Sequence, residues 1–342
     1  FNAEIINKIV KKHKIEFEGV SINSKKIKKD NLFIAVKGKK YDGHVFVKEA
    51  LKNKANYCIL QKNISKISRK KLIKCSSTIN FLNKLAYLKR SKINSKVIAI
   101  TGSSGKTTLK TLLGKILNKF DKTYFSQKSY NNHIGVPLSL CNLEYDHKYG
   151  VFEIGMSNAG EIQKLSNLVK PNIAIITNIG EAHIENFVNL NGIARAKSEI
   201  IENITKDGHL ILNRDDRYFN YFSKLAKKRK INILSFGKSK ESNARLVKNK
   251  LYKNYNNLHL KVLDKNIYLK VKNVNSSTIS NILSTLLTLH ILELKLTKII
   301  NFSHYFQSVE GRGKIHFVSR YKKKFQLIDE SYNANPSSVK NA

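Results

Sequence analysis

An apolar strand that runs into a glycine-bounded turn is the feature that most constrains how this chain can fold. The apolar run from Val97 to Ile100 leads into Thr101-Gly102-Ser103-Ser104-Gly105-Lys106-Thr107-Thr108. Glycines let the backbone N–H groups of such a turn converge on phosphate oxygens, and a following helix adds the positive end of its dipole. Lys106 adds a positive charge, and Thr107 offers a hydroxyl to a nucleotide-bound Mg²⁺. The run predicts a site for ATP or GTP, with a fortuitous glycine-serine turn capping a helix as the alternative.

This turn is shorter than a strict Walker A motif, because the position five residues before Gly105 is Ile100 rather than glycine. It fits the form T-G-x-x-G-K-T-T. The predicted nucleotide-binding residues are Gly102, Ser103, Ser104, Gly105, Lys106, Thr107 and Thr108.

The chain is strongly basic. Lysine and arginine number 63 and acidic residues 24, which gives a formal net charge of +39. A charge of this size can indicate a protein that neutralises nucleic-acid phosphates. The lysines are nevertheless spread along the whole chain beside many Asn and Ile residues, which is typical of a compositional bias. We therefore expect a solvated basic surface and no nucleic-acid partner, with nucleic-acid binding or steering of acidic substrates as alternatives.

The cysteines indicate a reducing compartment. Cys58, Cys75 and Cys141 are odd in number, widely spaced and without a C-x-x-C pair, so they predict neither a disulfide framework nor a zinc site. We expect a cytoplasmic protein. No apolar run approaches the length of a membrane span, so no membrane insertion is expected. Phe1 is not an initiator methionine and the chain stops in a polar stretch, so we expect a piece of a longer protein.

Apolar strands and helices alternate in the middle of the chain. Runs at 151–155 and 173–177 are typical of buried parallel strands, and a helix is predicted between them over 161–169, ended by Pro171. This βαβ order predicts an α/β fold with a doubly wound sheet, whose ligands bind at the carboxyl ends of the strands. Further strands are predicted over 31–36 and 325–329, a turn over 38–43, and helices over 46–53 and 279–290.

The length of 342 residues predicts two or three domains. The polar spacer at 91–96 and Gly311-Arg312-Gly313 mark the expected boundaries. The predicted domains are 1–92, 93–308 and 309–342, the last of them only begun within this sequence.

Three polar residues in or after the predicted strands are candidates for a functional site. Glu153 lies within an apolar strand, and a buried carboxylate favours a cation such as Mg²⁺, with a paired core glutamate as the alternative. His183 follows the next strand, where it could bind metal or phosphate or be structural. Lys197, considered alone, is one of many surface lysines. The position of His183 beside the same sheet edge as Glu153 favours a functional site, and Lys197 gains a role only as part of a set with them.

At this point the sequence resembles the Mur ligase family of ATP-dependent amide ligases. The resemblance rests on the phosphate loop, on Tyr130-Asn131-Asn132-His133-Ile134-Gly135-Val136-Pro137-Leu138, and on the run from Phe152 through Thr177-Asn178-Ile179-Gly180-Glu181-Ala182-His183 to Ile200. It covers most of residues 20–342. The stretch Asp329-Glu330-Ser331-Tyr332-Asn333-Ala334-Asn335-Pro336 is similar to the signature of members that add D-alanyl-D-alanine.

The resemblance implies a three-domain architecture: a small α/β N-terminal domain that binds a UDP-sugar, a central P-loop ATPase sheet and a truncated Rossmann-like C-terminal domain. It implies catalytic roles for Lys106, His183 and Lys197. Lys106 would hold the β- and γ-phosphates of ATP, and Thr107 and Glu153 would hold one Mg²⁺. His183 and a carbamylated Lys197 would hold a second Mg²⁺. The implied nucleotide contacts are Asn281 with adenine, Arg312 with the phosphates and Asp329 with the ribose.

The resemblance also implies a site for the UDP-sugar. Residues 38–46 are similar to the family's G-x-x-x-D-G-H-x-F stretch, and the implied substrate-binding residues are Ser24, Asp42, Gly43, His44, Asn131 and Asn132. Two positions depart from the family pattern. Asn23-Ser24-Lys25 stands where relatives have D-S-R, which removes an acid and a bidentate guanidinium. Ser277 stands where relatives have a histidine.

The implied activity is ATP-dependent addition of D-alanyl-D-alanine to UDP-N-acetylmuramoyl-tripeptide in peptidoglycan precursor synthesis. The implied partners are those two substrates, and we expect a monomer. The alternatives are a ligase of folylpolyglutamate or cyanophycin type, a basic nucleic-acid-binding P-loop protein, and a catalytically inactive relative. The intact set of Lys106, Glu153, His183 and Lys197 argues against the last.

Overall fold

The computed structural model describes residues 15–38, 41–65, 67, 69–252, 255–272, 274–306, 314–320, 323–329 and 331. The strands are β1 Val20–Ser21, β2 Leu32–Ile34, β3 Tyr57–Leu60, β4 Leu72–Lys74, β5 Lys96–Thr101, β6 Thr123–Phe125, β7 Tyr149–Glu153, β8 Ile173–Ile176, β9 His209–Asn213, β10 Asn232–Gly237, β11 Ala244–Leu251, β12 Tyr255–Val262, β13 Lys265–Lys272, β14 Lys314–Arg320 and β15 Lys323–Asp329. The α-helices are α1 Val47–Lys52, α2 Thr78–Lys92, α3 Lys106–Leu117, α4 Gly135–Cys141, α5 Glu161–Val169, α6 Leu190–Ser198, α7 Phe219–Lys228 and α8 Ser276–Ile291.

The chain divides into two compact units. One comprises residues 1–94 and 132–145, and the other comprises 95–131 and 146–342. The first unit therefore contains α4, although the strands on either side of α4 in the sequence, β6 and β7, belong to the second. The predicted three-domain division stays a prediction.

The first unit is built on a four-stranded parallel sheet in the order β1-β2-β3-β4. Its buried side chains include Phe33, Ala35, Val47 and Leu60. Helix α2 begins at the cap Ser77, whose hydroxyl accepts from the backbone N–H of Asn80, and it packs against α4. The predicted strand over 31–36 and helix over 46–53 are confirmed as β2 and α1, while the predicted turn includes residues outside those described.

The second unit is built on a nine-stranded sheet in the order β13-β12-β11-β10-β9-β8-β5-β7-β6. Neighbouring strands from β6 across to β11 are parallel, and β11, β12 and β13 form an antiparallel meander. The sheet is therefore mixed, with the predicted doubly wound pattern confirmed in its parallel part. The helices predicted over 161–169 and 279–290 are confirmed as α5 and α8.

Helices α3 and α8 supply much of the core of this unit. The buried residues Leu109, Leu113 and Ile116 of α3 lie in one apolar cluster with Ile282 and Leu286 of α8. Helix α8 begins at Asn275, whose side chain accepts from the backbone N–H of Thr278. A separate two-stranded antiparallel sheet joins β14 and β15, which confirms the strand predicted over 325–329. Among the described residues, no helix has the length and apolar character needed to span a bilayer.

Candidate active site

The loop between β5 and α3 can be formed only with glycine at its first position. Gly102 has a φ of 143°, and a Cβ there would lie 1.9 Å from the Thr177 hydroxyl oxygen. Gly105, with a φ of 80°, precedes the first turn of α3. Positive φ values of this kind are strained for other residue types. The loop is thus a tight backbone turn at a helix N-terminus, as predicted for a phosphate site.

The Lys106 side chain folds back so that its ammonium contacts this loop. Its ammonium donates to the carbonyl oxygen of Gly102 at 2.7 Å and to that of Ser103 at 3.4 Å. The next two residues complete the helix start: Thr107 is buried and Thr108 is half-buried. The positive charge and the helix N-terminus therefore lie side by side, an arrangement that favours polyanionic ligands.

The segment after β8 clamps the loop from one side. Ser104 N–H donates to the Asn178 Oδ1 at 3.0 Å, and Asn178 Nδ2 donates to the Ser104 hydroxyl at 2.9 Å. The Thr177 hydroxyl donates to the Ser104 carbonyl at 2.6 Å. Ser103 exchanges two hydrogen bonds with the backbone of Gly180, at 2.8 and 2.9 Å. The loop and the segment 177–180 thus form one hydrogen-bonded structure, which we call the loop clamp.

Glu153 is the centre of a buried polar cluster at the end of β7. Its Oε2 accepts from the Thr107 hydroxyl at 2.8 Å and lies 3.4 Å from the Lys110 ammonium. Its Oε1 accepts from Asn131 Nδ2 at 2.8 Å. Gly155 leaves room for Asn131, because a Cβ there would lie 2.9 Å from the Asn131 Cγ. The structure thus pairs Glu153 with a buried cation, the alternative left open from the sequence, and the assignment of Glu153 to a metal stays a prediction.

His183 and Lys197 lie close enough to Lys106 for its charge to affect both. Lys197 is buried on α6, and its pKa is well below the ordinary lysine value, first because of burial and then because of the Lys106 charge. Burial also lowers the pKa of His183, assisted by Lys106 and Lys197, while Glu185 and Glu161 oppose this shift. These directions favour the neutral forms of the Lys197 amine and the His183 imidazole. His183 has a φ of 64°, an uncommon conformation for a residue other than glycine.

A cavity of about 270 Å³ adjoins the phosphate loop. Asn281 of α8 lines it with Ser104, Gly105, Asn178 and Ser277. Asn281 is buried, and its Oδ1 approaches the position that a Cβ of Gly105 would occupy to 3.6 Å. The cavity therefore places the predicted adenine-site residue next to the predicted phosphate site. Asp329 ends β15 and accepts hydrogen bonds from Ser331, whereas Arg312 lies outside the described residues.

In the first unit, the predicted substrate residues are mostly held by their own hydrogen bonds. Asp42 pairs with Lys62 at 2.5 Å and with His44 Nδ1 at 2.6 Å, and these partners hold the pKa of Asp42 well below its usual range. His44 Nε2 accepts from the Gln61 N–H, which makes Nδ1 the donor to Asp42. Both ring nitrogens are thus occupied. Gly43 leaves no room for a side chain, because a Cβ would lie 2.7 Å from the Val36 carbonyl.

Two other predicted substrate residues also have internal partners. The Ser24 hydroxyl donates to Glu49 at 2.5 Å. The Asn132 side chain accepts from the backbone N–H groups of Ile134 and Gly135, at 3.1 and 2.9 Å, where α4 begins. Lys110 and Asn178 were not assigned roles from the sequence. The signal for Lys110 was its position one helical turn after Lys106, which places both lysines on one face of α3.

The chain is similar to known ligases in sequence. The Mur ligase middle domain matches residues 100–289, and the Mur ligase family catalytic domain matches residues 16–88. The UDP-N-acetylmuramoyl-tripeptide–D-alanyl-D-alanine ligase of Rickettsia prowazekii is 35% identical over 94% of this chain and 71% of that protein. This chain belongs to the Mur ligase family. A relative of the same name from Buchnera aphidicola is 34% identical over 94% of this chain and 69% of its own length.

Solved structures agree with this membership of the Mur ligase family. A crystal structure of MurF from Acinetobacter baumannii has a TM-score of 0.86 and 28% identity, covering 100% of this chain and 75% of that one. MurF ligase from Thermotoga maritima in complex with ADP has a TM-score of 0.80 and 28% identity, covering 95% and 73%. A variant of L. casei FPGS, at 12% identity and a TM-score of 0.62, shares the fold alone. As a Mur ligase, the chain is an ATP-dependent ligase.

Proposed function

We propose that this Mur ligase joins D-alanyl-D-alanine to UDP-N-acetylmuramoyl-tripeptide in the cytoplasm. The names of the Rickettsia and Buchnera relatives support this substrate pair, as does the similarity of residues 329–336 to the corresponding signature. The observation that carries the chemistry is the phosphate loop with Lys106 folded against it, next to the Thr107 and Glu153 oxygens.

The chain's own groups would bind the nucleotide along the loop and the adjoining cavity. Lys106 and the loop N–H groups would hold the β- and γ-phosphates, while Asn281 would contact adenine. Arg312 and Asp329 are proposed for the phosphates and the ribose. Fixed positive groups aimed at the transferring phosphoryl group stabilise its transition state more than they stabilise bound ATP.

The donor set at Glu153 fits Mg²⁺. The Thr107 hydroxyl and the Glu153 carboxylate are hard oxygen ligands 2.8 Å apart, and such ligands suit this cation. Thr107 and Glu153 would hold one Mg²⁺, and His183 and Lys197 a second. When bound, Mg²⁺ offsets negative charge on the phosphates.

The proposed reaction has two steps. A carboxylate oxygen of the tripeptide attacks the γ-phosphorus, and the bond from that phosphorus to the bridging oxygen of ADP breaks. The amine of D-alanyl-D-alanine then attacks the acyl carbon, releasing phosphate and a proton as the amide forms. Lys106 would stay in contact with the phosphates during phosphoryl transfer. Much of the rate enhancement would come from holding the reacting groups in position.

Lys197 is proposed to be carbamylated. A neutral amine reacts with CO₂ to form an N–C bond and release a proton, which converts a lysine into a carboxylate on a long arm. The lowered pKa of Lys197 favours the neutral amine that this reaction needs. The negative charge would also be attracted by Lys106.

The first unit is proposed to bind the UDP-sugar. For the whole chain we propose domains at 1–92, 93–308 and 309–342. Ser24, Asp42, Gly43 and His44 would shape that site, and because both His44 nitrogens have internal partners we assign His44 to holding the loop. Asn131 and Asn132 would lie near the peptide of the substrate. We also propose that the protein is a monomer.

Replacement of Lys106 tests this function directly. Lys106→Ala should abolish ADP release on addition of UDP-N-acetylmuramoyl-tripeptide and ATP, while circular dichroism shows an intact fold. The matched control is Lys115→Ala, an exposed lysine on the same helix, which should keep the parent rate. Parental turnover in Lys106→Ala would contradict the phosphate-site assignment.

A further inference from the structure

Lys110 is a buried lysine that the proposed reaction does not use. It follows Lys106 by one turn of α3, its side chain is 1% exposed, and its ammonium lies 3.4 Å from Glu153 Oε2. The same ammonium donates to the backbone carbonyl of Lys128. A buried ammonium and a buried carboxylate are each costly unless paired, so the position of each depends on the other.

We propose that Lys110 is the internal counterion of Glu153, a positioning residue that makes divalent-metal binding at Thr107 and Glu153 depend on a bound nucleotide. The inference rests on the assignment of those two residues to a metal in the proposed function.

Charge gives the first reason. Glu153 Oε2 accepts a hydrogen bond from the Thr107 hydroxyl and lies next to the Lys110 ammonium. A metal ion bound there would therefore lie within a few ångströms of a positive charge. In a buried site this repulsion is much stronger than in water. Nucleotide phosphates bring negative charge that offsets it. A divalent ion therefore binds weakly alone and tightly together with a nucleotide.

Geometry gives the second reason. Asn131 Nδ2 donates to Glu153 Oε1. The Lys110 ammonium contacts both Glu153 Oε2 and the Lys128 carbonyl. The segment between β6 and α4 is therefore attached to the carboxylate directly at Asn131 and through Lys110 at Lys128. Loss of Lys110 removes the opposing charge and one of these attachments. Lys110→Arg retains the charge.

Thermal unfolding of the metal-free chain tests the counterion pairing independently of ligase activity. In EDTA, Lys110→Met should lower Tm by about 10 °C, as expected when one partner of a buried pair is removed. The double variant with Glu153→Gln should recover at least half of that loss, and the control Lys115→Met should stay near the parent. Additive losses, or a double variant that fails to fold, would overturn the pairing. If only Lys110→Met fails to fold, the pairing is supported.

Mn²⁺ binding followed by electron paramagnetic resonance tests the nucleotide dependence. The parent chain and Lys110→Arg should bind Mn²⁺ weakly alone and more tightly with ADP, whereas Lys110→Met should bind Mn²⁺ without ADP about tenfold more tightly than the parent. Equal affinity in Lys110→Met and the parent would overturn the inference. Mn²⁺ affinity that does not change in Thr107→Val would instead contradict the metal assignment of the proposed function, leaving the thermal result intact.

Discussion

At the scale of single residues, the proposed carbamylation of Lys197 gives a specific prediction. Burial lowers its pKa, so the amine stays neutral and reactive towards CO₂ down to that lowered pKa, and carbamate formation should fall as the pH drops through it. Lys197→Ala should be nearly inactive and partly rescued by short carboxylic acids, whereas the exposed Lys206→Ala should resemble the parent.

Carbon-13 NMR with labelled bicarbonate measures this modification. A carbamate signal is expected in the parent and should be absent in Lys197→Ala. Full turnover in Lys197→Ala, with no carbamate signal in the parent, would show that this lysine is unmodified.

The three cysteines should differ in reactivity. Burial raises the pKa of Cys58 to about 12 and raises that of Cys141 further, so neither forms thiolate at pH 8. Burial also raises the pKa of Cys75, but this residue is only half-buried. Iodoacetamide should therefore modify Cys75 first in the folded chain, as mass spectrometry of the peptides would record. Faster modification of Cys141 would mean that α4 opens readily.

From the sequence we predicted several residues that the structure brings together, but not the partners that hold them. A carboxylate in an apolar strand and a threonine after Lys106 are visible in a motif, and both lie in the cluster. The position of Lys110 one helical turn after Lys106 is visible in the sequence, but its burial is not, because that burial depends on how α3 packs against β7. Of the two partners of the His44 ring, Asp42 is only two residues away, whereas Gln61 comes from a segment distant in sequence.

At the scale of elements, the loop clamp should control nucleotide affinity. Asn178→Ala removes three hydrogen bonds to Ser104, and we expect the KM for ATP to rise about tenfold because the loop is no longer held in its binding conformation. Steady-state kinetics at saturating UDP-peptide measures this change.

The matched control for the loop clamp is Asn172→Ala. Asn172 accepts from the Val97 N–H at 2.8 Å and contacts Thr205, at the opposite end of β5 and β8 from the phosphate loop. Its loss should lower the free energy of unfolding by about 1–3 kcal/mol without changing the KM for ATP. Equal effects of the two variants on KM would mean that the clamp has no special role.

The predicted strands differ in their pattern from the unpredicted meander of β11 to β13. Strands β7 and β8 are continuous apolar runs and were predicted because both faces are buried. The meander of β11 to β13 was not predicted. Its strand β13 alternates exposed and buried residues in the sequence Lys-Asn-Ile-Tyr-Leu-Lys-Val-Lys, a period of two that marks a half-buried antiparallel strand. Abundant lysine and asparagine made this alternation resemble a polar linker.

At the scale of the whole molecule, the net charge of +39 should act through encounter rates. The UDP-peptide is anionic, so its association should slow as salt rises, while the chemical step stays unchanged. Stopped-flow binding at several salt concentrations measures the first effect. Tight, salt-resistant binding to duplex DNA would contradict our expectation that nucleic acid is not a partner.

The route of the chain through the two units has a consequence for modularity. Because α4 lies in the first unit while β6 and β7 lie in the second, the backbone passes from one unit to the other three times, at 94, 131 and 145. The first unit is therefore discontinuous in sequence. Residues 1–94 cut out alone would lack α4, the helix against which α2 packs. Recombination between relatives that exchanges this unit must exchange two stretches at once, which couples its inheritance to that of the ATP-binding sheet.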